Sequence, residues 1–190
     1  SVLVDNGDLL QGSPMGDYMA SVGVDDTHPA YKAMNTLDYV VANIGNHEFN
    51  YGMKNLDSYM SNINAKILNT NIVNTESKKP IYGKAYDIIN IEDGPKIAII
   101  GVTTHYIPNW EQALNIENIT FKDAFQSAKN EVLKVKELEN PDFIIINYHG
   151  GFERDFESFK LSTEDTGENQ GSKMLKEIDG VDLLLTGHQH

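Results

Sequence analysis

The sequence contains no cysteine, so disulfide bonds and thiolate metal ligands are both excluded. Basic residues are also scarce: 15 lysines and arginines face 28 acidic residues, and the formal net charge is −13. General nucleic-acid binding needs a basic face, which so acidic a chain does not offer. The same charge repels anionic substrates unless metal ions supply local positive charge. Any metal site must therefore be built from oxygen and imidazole ligands.

Long apolar runs are missing as well, and no stretch approaches the roughly 18 apolar residues that indicate a membrane span. The 190 residues are 40% hydrophobic, which suits one domain with its own core. The chain opens inside an apolar run without a signal peptide and stops directly after a Gly-His-Gln-His motif. We therefore expect an internal fragment that is incomplete at both ends.

Short apolar runs alternate with helical patterns along the chain, which predicts an α/β fold. The predicted strands are Val2–Val4, Tyr39–Ile44, Lys66–Thr70, Ala85–Ile91, Lys96–Val102, Phe143–Tyr148 and Asp182–Thr186. The predicted helices are Pro29–Leu37, Met53–Ile63, Lys122–Leu138 and Gln170–Ile178. Thr120, three residues before Asp123, resembles a capping box for the third helix. Asn74–Gly83 is predicted as a loop, and the polar segment Glu153–Gln170 is predicted to cover or border a functional site.

Four of these strands lead directly into clusters of metal-ligand residues. The clusters are Asp-Asn-Gly-Asp at 5–8, Gly-Asn-His-Glu at 45–48, Tyr-His-Gly-Gly at 148–151 and Gly-His-Gln-His at 187–190. Ligands of α/β sheets bind at the carboxyl ends of the strands, where these clusters would meet. Imidazole and carboxylate ligands suit Zn²⁺, Mn²⁺ or Fe. The clusters therefore predict a metal site.

Each cluster taken alone has a simpler explanation. Asp8 lies in turn chemistry, and His149 alone could be a hydrogen-bonded core histidine. His188 and His190 point to the same side of an extended chain, as either a metal pair or a surface pair. Four coincidences at four strand ends favour one shared functional site.

In this order the motifs resemble those of the metallophosphatase superfamily, which includes calcineurin-like phosphoesterases and 5′-nucleotidases. The stretches that carry the resemblance are 7–12, 45–49, 149–151 and 187–190. Within the superfamily, three segments are similar to the bacterial 2′,3′-cyclic-nucleotide 2′-phosphodiesterase/3′-nucleotidases. These segments are His28–Leu37, Gly45–Gly52, and Gly101–Thr104 with the following Pro108–Trp110.

The resemblance implies a four-layer α/β/β/α metallophosphatase sandwich, with residues 1–190 as the catalytic domain. The family's N-terminal Asp-x-His motif and its C-terminal nucleotide-recognition domain are both absent from these residues. The resemblance also implies two divalent metal ions, and the imidazole-rich ligands suit Mn, Zn or Fe. Asp8 would bridge both ions; Asn46, His149 and His188 would complete one site, and His190 would belong to the other.

The catalytic residues implied by the resemblance are His47 and Asn50. His47 would assist the leaving group and stabilise charge on the phosphoryl group without binding metal. Asn50 would orient the His47 imidazole, at a position where many 5′-nucleotidases have aspartate. A metal-bridging hydroxide would attack phosphorus. The implied substrates are small nucleotides, first 2′,3′-cyclic nucleotides and then 3′-nucleotides, with no nucleic-acid partner. The implied location is secreted, cell-wall-attached or periplasmic in a bacterium.

Two other functions remain open. One is a 5′-nucleotidase or nucleotide-sugar hydrolase of the same superfamily, and the other is an inactive metal-binding surface module. Several side chains near the motifs also have both a functional and a structural interpretation. These are Glu48 as a structural or ligand-orienting residue, His105 as a residue that borders the site, Arg154 as a phosphate ligand or a solvated loop residue, and Phe49, Tyr51 and Trp110 as base-stacking or core aromatics.

Overall fold

The computed structural model describes residues 1–22, 29–162 and 164–190. The helices are α1 (Pro14–Val22), α2 (Pro29–Thr36), α3 (Met53–Asn62), α4 (Ala124–Glu139) and α5 (Gly171–Glu177). The strands are β1 (Val41–Ala42), β2 (Lys66–Ile67), β3 (Ile72–Asn74), β4 (Tyr86–Asn90), β5 (Lys96–Thr103), β6 (Ile119–Phe121), β7 (Phe143–His149) and β8 (Leu183–Thr186). Short 3₁₀ turns occupy His47–Phe49, Ile107–Asn109 and Ala113–Ile116.

The largest sheet has the strand order β4-β5-β7-β8. Strand β4 runs antiparallel to β5, whereas β5, β7 and β8 are parallel to one another. A smaller sheet pairs β1 with β2 in parallel, and Val4 extends it through a bridge to Val41. The third pairing is an antiparallel ribbon of β3 and β6. The carboxyl ends of β1, β5, β7 and β8 therefore hold the segments that the sequence analysis singled out.

Side chains along the strands of the large sheet alternate between its two faces, and this divides the hydrophobic core into layers. On β5, Ile99 joins Val41 and Leu68 of the smaller sheet, whereas Ala98 and Ile100 face the opposite side with α4 and α5. Successive side chains of a strand point to opposite faces, which explains this division. A third cluster packs α2 and α3 on the outer side of the smaller sheet. The layers are therefore helix, sheet, sheet and helix.

Helix α4 shows how one outer layer follows from the sequence. Phe125, Ala128, Val132 and Val135 recur every three or four residues, and all are buried against the large sheet. The helix begins after Asp123, whose carboxylate accepts a hydrogen bond from the backbone N–H of Gln126 at 2.7 Å. The N-cap is thus Asp123, and the prediction of a capping box from Thr120 is wrong.

A buried carboxylate on β4 ties the two sheets together. Asp87 accepts a hydrogen bond from Lys66 Nζ of β2 at 2.6 Å and forms a second ion pair with Lys84. Burial by itself would raise the pKa of the Asp87 carboxyl, but the hydrogen bonds and charges of Lys66 and Lys84 lower it overall. Asp87 is therefore an ionised link between the layers.

The α/β prediction is confirmed, and the predicted helices and the strands of the large sheet form close to their predicted bounds. The predicted strands Tyr39–Ile44 and Lys66–Thr70 are much shorter, as Val41–Ala42 and Lys66–Ile67. The predicted strand Val2–Val4 is wrong in extent, because only Val4 forms a bridge there. Helix α1 was missed, and so were the ribbon strands β3 and β6, which are three residues long each. His28, which opens the segment His28–Leu37, lies outside the described residues. In the described ranges no helix combines the length and apolar character needed to cross a bilayer.

Candidate active site

The side chains of Asp8, His149 and His188 converge at the carboxyl ends of the strands. One potential ligand atom from each lies within 4.8 Å of the others. Asp8 follows the N-terminal segment that bridges to β1, His149 ends β7, and His188 follows β8. Asn46, after β1, adds an amide oxygen 3.1 Å from His149 Nε2. The structure thus brings together four of the five predicted metal ligands.

A buried glutamate holds the loop that carries Asp8. The Glu48 carboxylate accepts hydrogen bonds from the backbone N–H groups of Asp8 at 2.7 Å, Leu9 at 2.6 Å and Leu10 at 3.2 Å. It also accepts one from Gly45 at 2.6 Å, which links the two motifs. Asp8 itself has a φ of 65°, a left-handed conformation that costs energy for a non-glycine residue. Glu48 therefore acts as the orienting residue predicted as one of its roles.

Gly45 has no room for a side chain. A Cβ atom at this position would lie 2.3 Å from Asp8 Oδ1 and 2.7 Å from the Cε1 atom of His149. The loops after β1, β7 and the N-terminal segment can meet only because this residue is glycine. The close approach brings the backbone N–H of His47 to 2.8 Å from Asp8 Oδ1.

The hydrogen bonds of His149 leave one ring nitrogen facing the other ligands. His149 Nδ1 lies 2.8 Å from the carbonyl oxygen of Asn6, which can only accept, so Nδ1 carries a proton. His149 Nε2 lies 3.1 Å from Asp8 Oδ2 and equally far from Asn46 Oδ1. This is the usual arrangement of a metal-binding histidine, whose second nitrogen is fixed by a backbone carbonyl.

Acidic groups outnumber basic groups at this edge of the sheets. Burial would raise the pKa of Asp8, but its hydrogen bond and charge interaction with His149 lower it overall. Burial would lower the pKa of His149, but Asp8 and the charge of Glu48 raise it overall. Burial, together with the charge of Glu48, raises the pKa of Asp5 to about 7. Asp8 and Glu48 thus favour a positive charge at His149, where a cation at Nε2 could replace the proton.

His188 is fixed by a carboxylate that the sequence analysis did not single out. His188 Nε2 lies 3.0 Å from Glu168 Oε1. Since a carboxylate only accepts, Nε2 carries the proton and Nδ1 is the nitrogen left to bind a metal. Glu168 lies in the segment 153–170 that was predicted to border the site, and this prediction is confirmed.

The donor set fits a divalent transition metal. One carboxylate and two imidazoles offer ligand atoms within 4.8 Å of one another, and the amide oxygen of Asn46 lies 3.1 Å from one of the imidazoles. Hard and borderline ligands of this kind suit Mn²⁺, Zn²⁺ or Fe. The two histidines are buried or half-buried, so the ligands are shielded from bulk water on the protein side.

His47 lies outside this ligand group, in a cavity of about 270 Å³ beside it. His47 Nδ1 is 2.6 Å from Asn50 Oδ1, which agrees with the predicted orienting role of Asn50. Ile107, Trp110 and Glu111 form the opposite wall, on the loop after β5. The Trp110 ring packs against His188 at 5.3 Å between centroids and is 45% exposed. The cavity therefore joins the ligand group to an aromatic surface.

His190 and several other candidates lie elsewhere. His190 is exposed and lines a separate groove with Phe152 and Arg154, outside the converging ligand group. The Arg154 guanidinium donates to the carbonyl oxygen of Phe159 at 3.0 Å within its own loop. His105 accepts from the N–H of Ala124 at the start of α4.

Two of the candidate aromatics have structural roles. Phe49 is fully buried and packs edge-on against Phe121, with ring centroids 5.6 Å apart. Tyr51 bonds to Asp17 of α1 through its hydroxyl group. Of the three aromatic candidates, Trp110 is thus the one that reaches the cavity.

Comparison with known proteins identifies the family of this chain. The calcineurin-like phosphoesterase profile matches residues 1–190. The 2′,3′-cyclic-nucleotide 2′-phosphodiesterase/3′-nucleotidase of Salmonella typhimurium is 38% identical over all of this chain. The chain belongs to the calcineurin-like phosphoesterase family. Members of this family generally use divalent metal ions.

Two further relatives extend the comparison. The crystal structure of the calcineurin-like phosphoesterase YfkN from Bacillus subtilis superimposes with a TM-score of 0.83 at 32% identity, over all of this chain and 58% of that one. A 5′-nucleotidase of Vibrio vulnificus is 29% identical over 98% of this chain and 32% of its own length. The chain spans 30% of the Salmonella relative. These matches confirm the metallophosphatase fold and the predicted family.

Proposed function

We propose that this calcineurin-like phosphoesterase chain is the catalytic core of a hydrolase that cleaves 2′,3′-cyclic nucleotides and then 3′-nucleotides. The observation that carries the proposal is the convergence of Asp8, His149 and His188 beside the cavity that contains His47. The name of the Salmonella relative supports this substrate class. The Vibrio relative supports 5′-nucleotides as the alternative substrates.

We infer that two divalent ions serve this site, with Mn, Zn or Fe preferred. Asn46, His149 and His188 would hold one ion, Asp8 would be shared, and His190 would belong to the second. When bound, such ions supply Lewis-acid charge and lower the pKa of coordinated water towards neutrality. The chain's own part is to fix its ligands: Glu48 holds the Asp8 loop, and Glu168 orients His188.

His47 is the residue that we assign to the leaving group. Hydrolysis of the cyclic ester adds water across the bond between phosphorus and O2′, so O2′ departs with a proton and the phosphate stays on O3′. His47 lines the cavity with its Nδ1–H committed to Asn50, so the imidazolium form would donate that proton from Nε2 and remain as the neutral ring with Nδ1–H. In the second reaction O3′ would leave in the same way. Ile107 and Trp110 offer an apolar wall to the nucleoside.

A substrate panel tests the reaction. Values of kcat/KM for 2′,3′-cyclic AMP, 3′-AMP, 5′-AMP and a nucleotide sugar should be measured on the full-length protein loaded with Mn²⁺. We expect the first two substrates to be preferred. A higher value for 5′-AMP or the nucleotide sugar would favour the alternative hydrolases. Metal binding without turnover of any substrate would favour an inactive surface module.

Metal analysis tests the ion count separately. After reconstitution and gel filtration, we expect two ions per chain in the full-length protein, and substantial loss in the variant His149→Ala. Less than one ion per chain would contradict the metal assignment. The variant His105→Ala is a matched control, because His105 follows β5, accepts from Ala124 at the start of α4, and lies outside the ligand group. Secretion stays a prediction from the resemblance, and fractionation of the producing cells tests it.

A further inference from the structure

A chain of hydrogen bonds leads from His47 away from the metal ligands to the other wall of the cavity. His47 Nδ1 lies 2.6 Å from Asn50 Oδ1, and Asn50 Nδ2 donates to Glu111 Oε2 at 2.7 Å. His47 and Asn50 lie on the turn after β1, whereas Glu111 lies on the loop after β5. All three side chains line the same cavity.

The chemistry of Glu111 determines how the Asn50 amide is oriented. A carboxylate has no proton to give, so the atom of Asn50 that faces it must be the NH₂ group. The amide oxygen then faces His47 and can only accept. The neutral imidazole consequently carries its proton on Nδ1, so Nε2 is the nitrogen that gains a proton and gives it to the leaving oxygen.

Glu111 is itself held in position by its own loop. Its second carboxylate oxygen, Oε1, accepts from the backbone N–H of Gln112 at 2.8 Å and from Asn115 Nδ2 at 2.9 Å. Both carboxylate oxygens therefore have donors. The two donors to Oε1 lie at or in the 3₁₀ turn Ala113–Ile116, so this turn holds the carboxylate with Oε2 towards Asn50. This arrangement is preorganised, because no side chain has to move before it orients Asn50.

We propose that Glu111 is a positioning residue that acts through Asn50 to fix the tautomer of His47. Glu111 also supplies a negative charge. An aspartate at position 50 would place that charge directly beside the imidazole, whereas Glu111 places it on the far side of Asn50. The inference rests on the proposed function, since it assumes that His47 acts on the leaving group. Without Glu111 the Asn50 amide can rotate and place its NH₂ group against His47 Nδ1. Two donors would then face each other, which disfavours a proton on Nδ1.

Exchanging the amide at position 50 with the carboxylate at position 111 tests this arrangement. In Glu111→Gln the amide of Asn50 loses its directing partner, and in Asn50→Asp two carboxylates oppose each other at hydrogen-bond distance. We expect each single variant to lower kcat about 10-fold with little change in KM. In the double variant Asn50→Asp/Glu111→Gln, the carboxylate at position 50 accepts from both neighbours. We expect the double variant to recover to within about 3-fold of the wild type, as a coupled pair should.

Two further measurements separate this inference from the proposed function. Selective ¹⁵N labelling of histidine in the full-length protein reports the His47 tautomer directly, and Glu111→Gln should reduce the share of the Nδ1–H form. Glu117→Gln, an exposed change near the same loop, should alter neither rate nor tautomer. If the double variant is slower than both single variants, or if the tautomer is unchanged in Glu111→Gln, Glu111 has no positioning role. An inactive wild type with the expected tautomer would contradict the proposed function alone.

Discussion

The substitution Glu48→Gln removes the acceptor that joins the first two ligand motifs. Glu48 Oε1 accepts from Leu9 and Leu10, and Oε2 accepts from Asp8 and Gly45. A glutamine has the same shape but only one oxygen. Whichever way its amide is turned, two buried N–H groups lose their acceptor and face an NH₂ group instead.

The size of the effect follows from these contacts. A buried donor without a partner costs about 1–3 kcal/mol, so two cost about 2–6 kcal/mol. Part of this cost is offset, because burial and the charge of Asp8 raise the pKa of Glu48 and the neutral amide removes that repulsion. We therefore expect a net loss of about 2–4 kcal/mol in the free energy of unfolding.

The assay is urea unfolding of the metal-free protein, followed by circular dichroism. Calorimetric titration with Mn²⁺ should also show weaker binding, because the Asp8 loop is no longer held. Glu92→Gln, an exposed turn residue, provides the matched control and should change neither quantity. If Glu48→Gln unfolds at the urea midpoint of the wild type, the four hydrogen bonds do not hold the loop and our reasoning is wrong.

Two more predictions concern catalysis and stability. His47→Ala should lower kcat by about 100-fold or more while metal content stays near that of the wild type, and loss of metal would instead identify His47 as a ligand. Asp87→Asn should lower the free energy of unfolding by about 1–2 kcal/mol at pH 7, discounted because both partner lysines are half-exposed. The folded-state pKa of Asp87 is lowered, so this stability is present above about pH 4 and is lost as pH falls further. An Asp87→Asn deficit that persists unchanged at pH 2 would contradict the ion-pair explanation.

The fold class could be predicted from local patterns in the sequence, and so could the strand ends at which Asp8, His149 and His188 meet. The apolar period of α4 and the buried runs of β5 and β7 are local patterns, and each can be recognised without its partners. The ligand motifs follow strand ends, and parallel strands bring their carboxyl ends together. For this reason Asp8, His149 and His188 could be assigned to one site before their distances were known.

Which glutamates orient the site depends on contacts between loops that are distant in the sequence. Glu48, Glu111 and Glu168 act on groups that lie 40, 61 and 20 residues away along the chain. Glu48 lies in the Gly-Asn-His-Glu motif and was predicted as a structural or orienting residue, whereas Glu111 and Glu168 lie in loops without a local pattern that distinguishes them from the other acidic residues of this chain. The short strands β3 and β6 were missed for the same reason, since they exist only as partners of each other. Local periodicity specifies elements and motifs, whereas long-range hydrogen bonds depend on how the loops meet after folding.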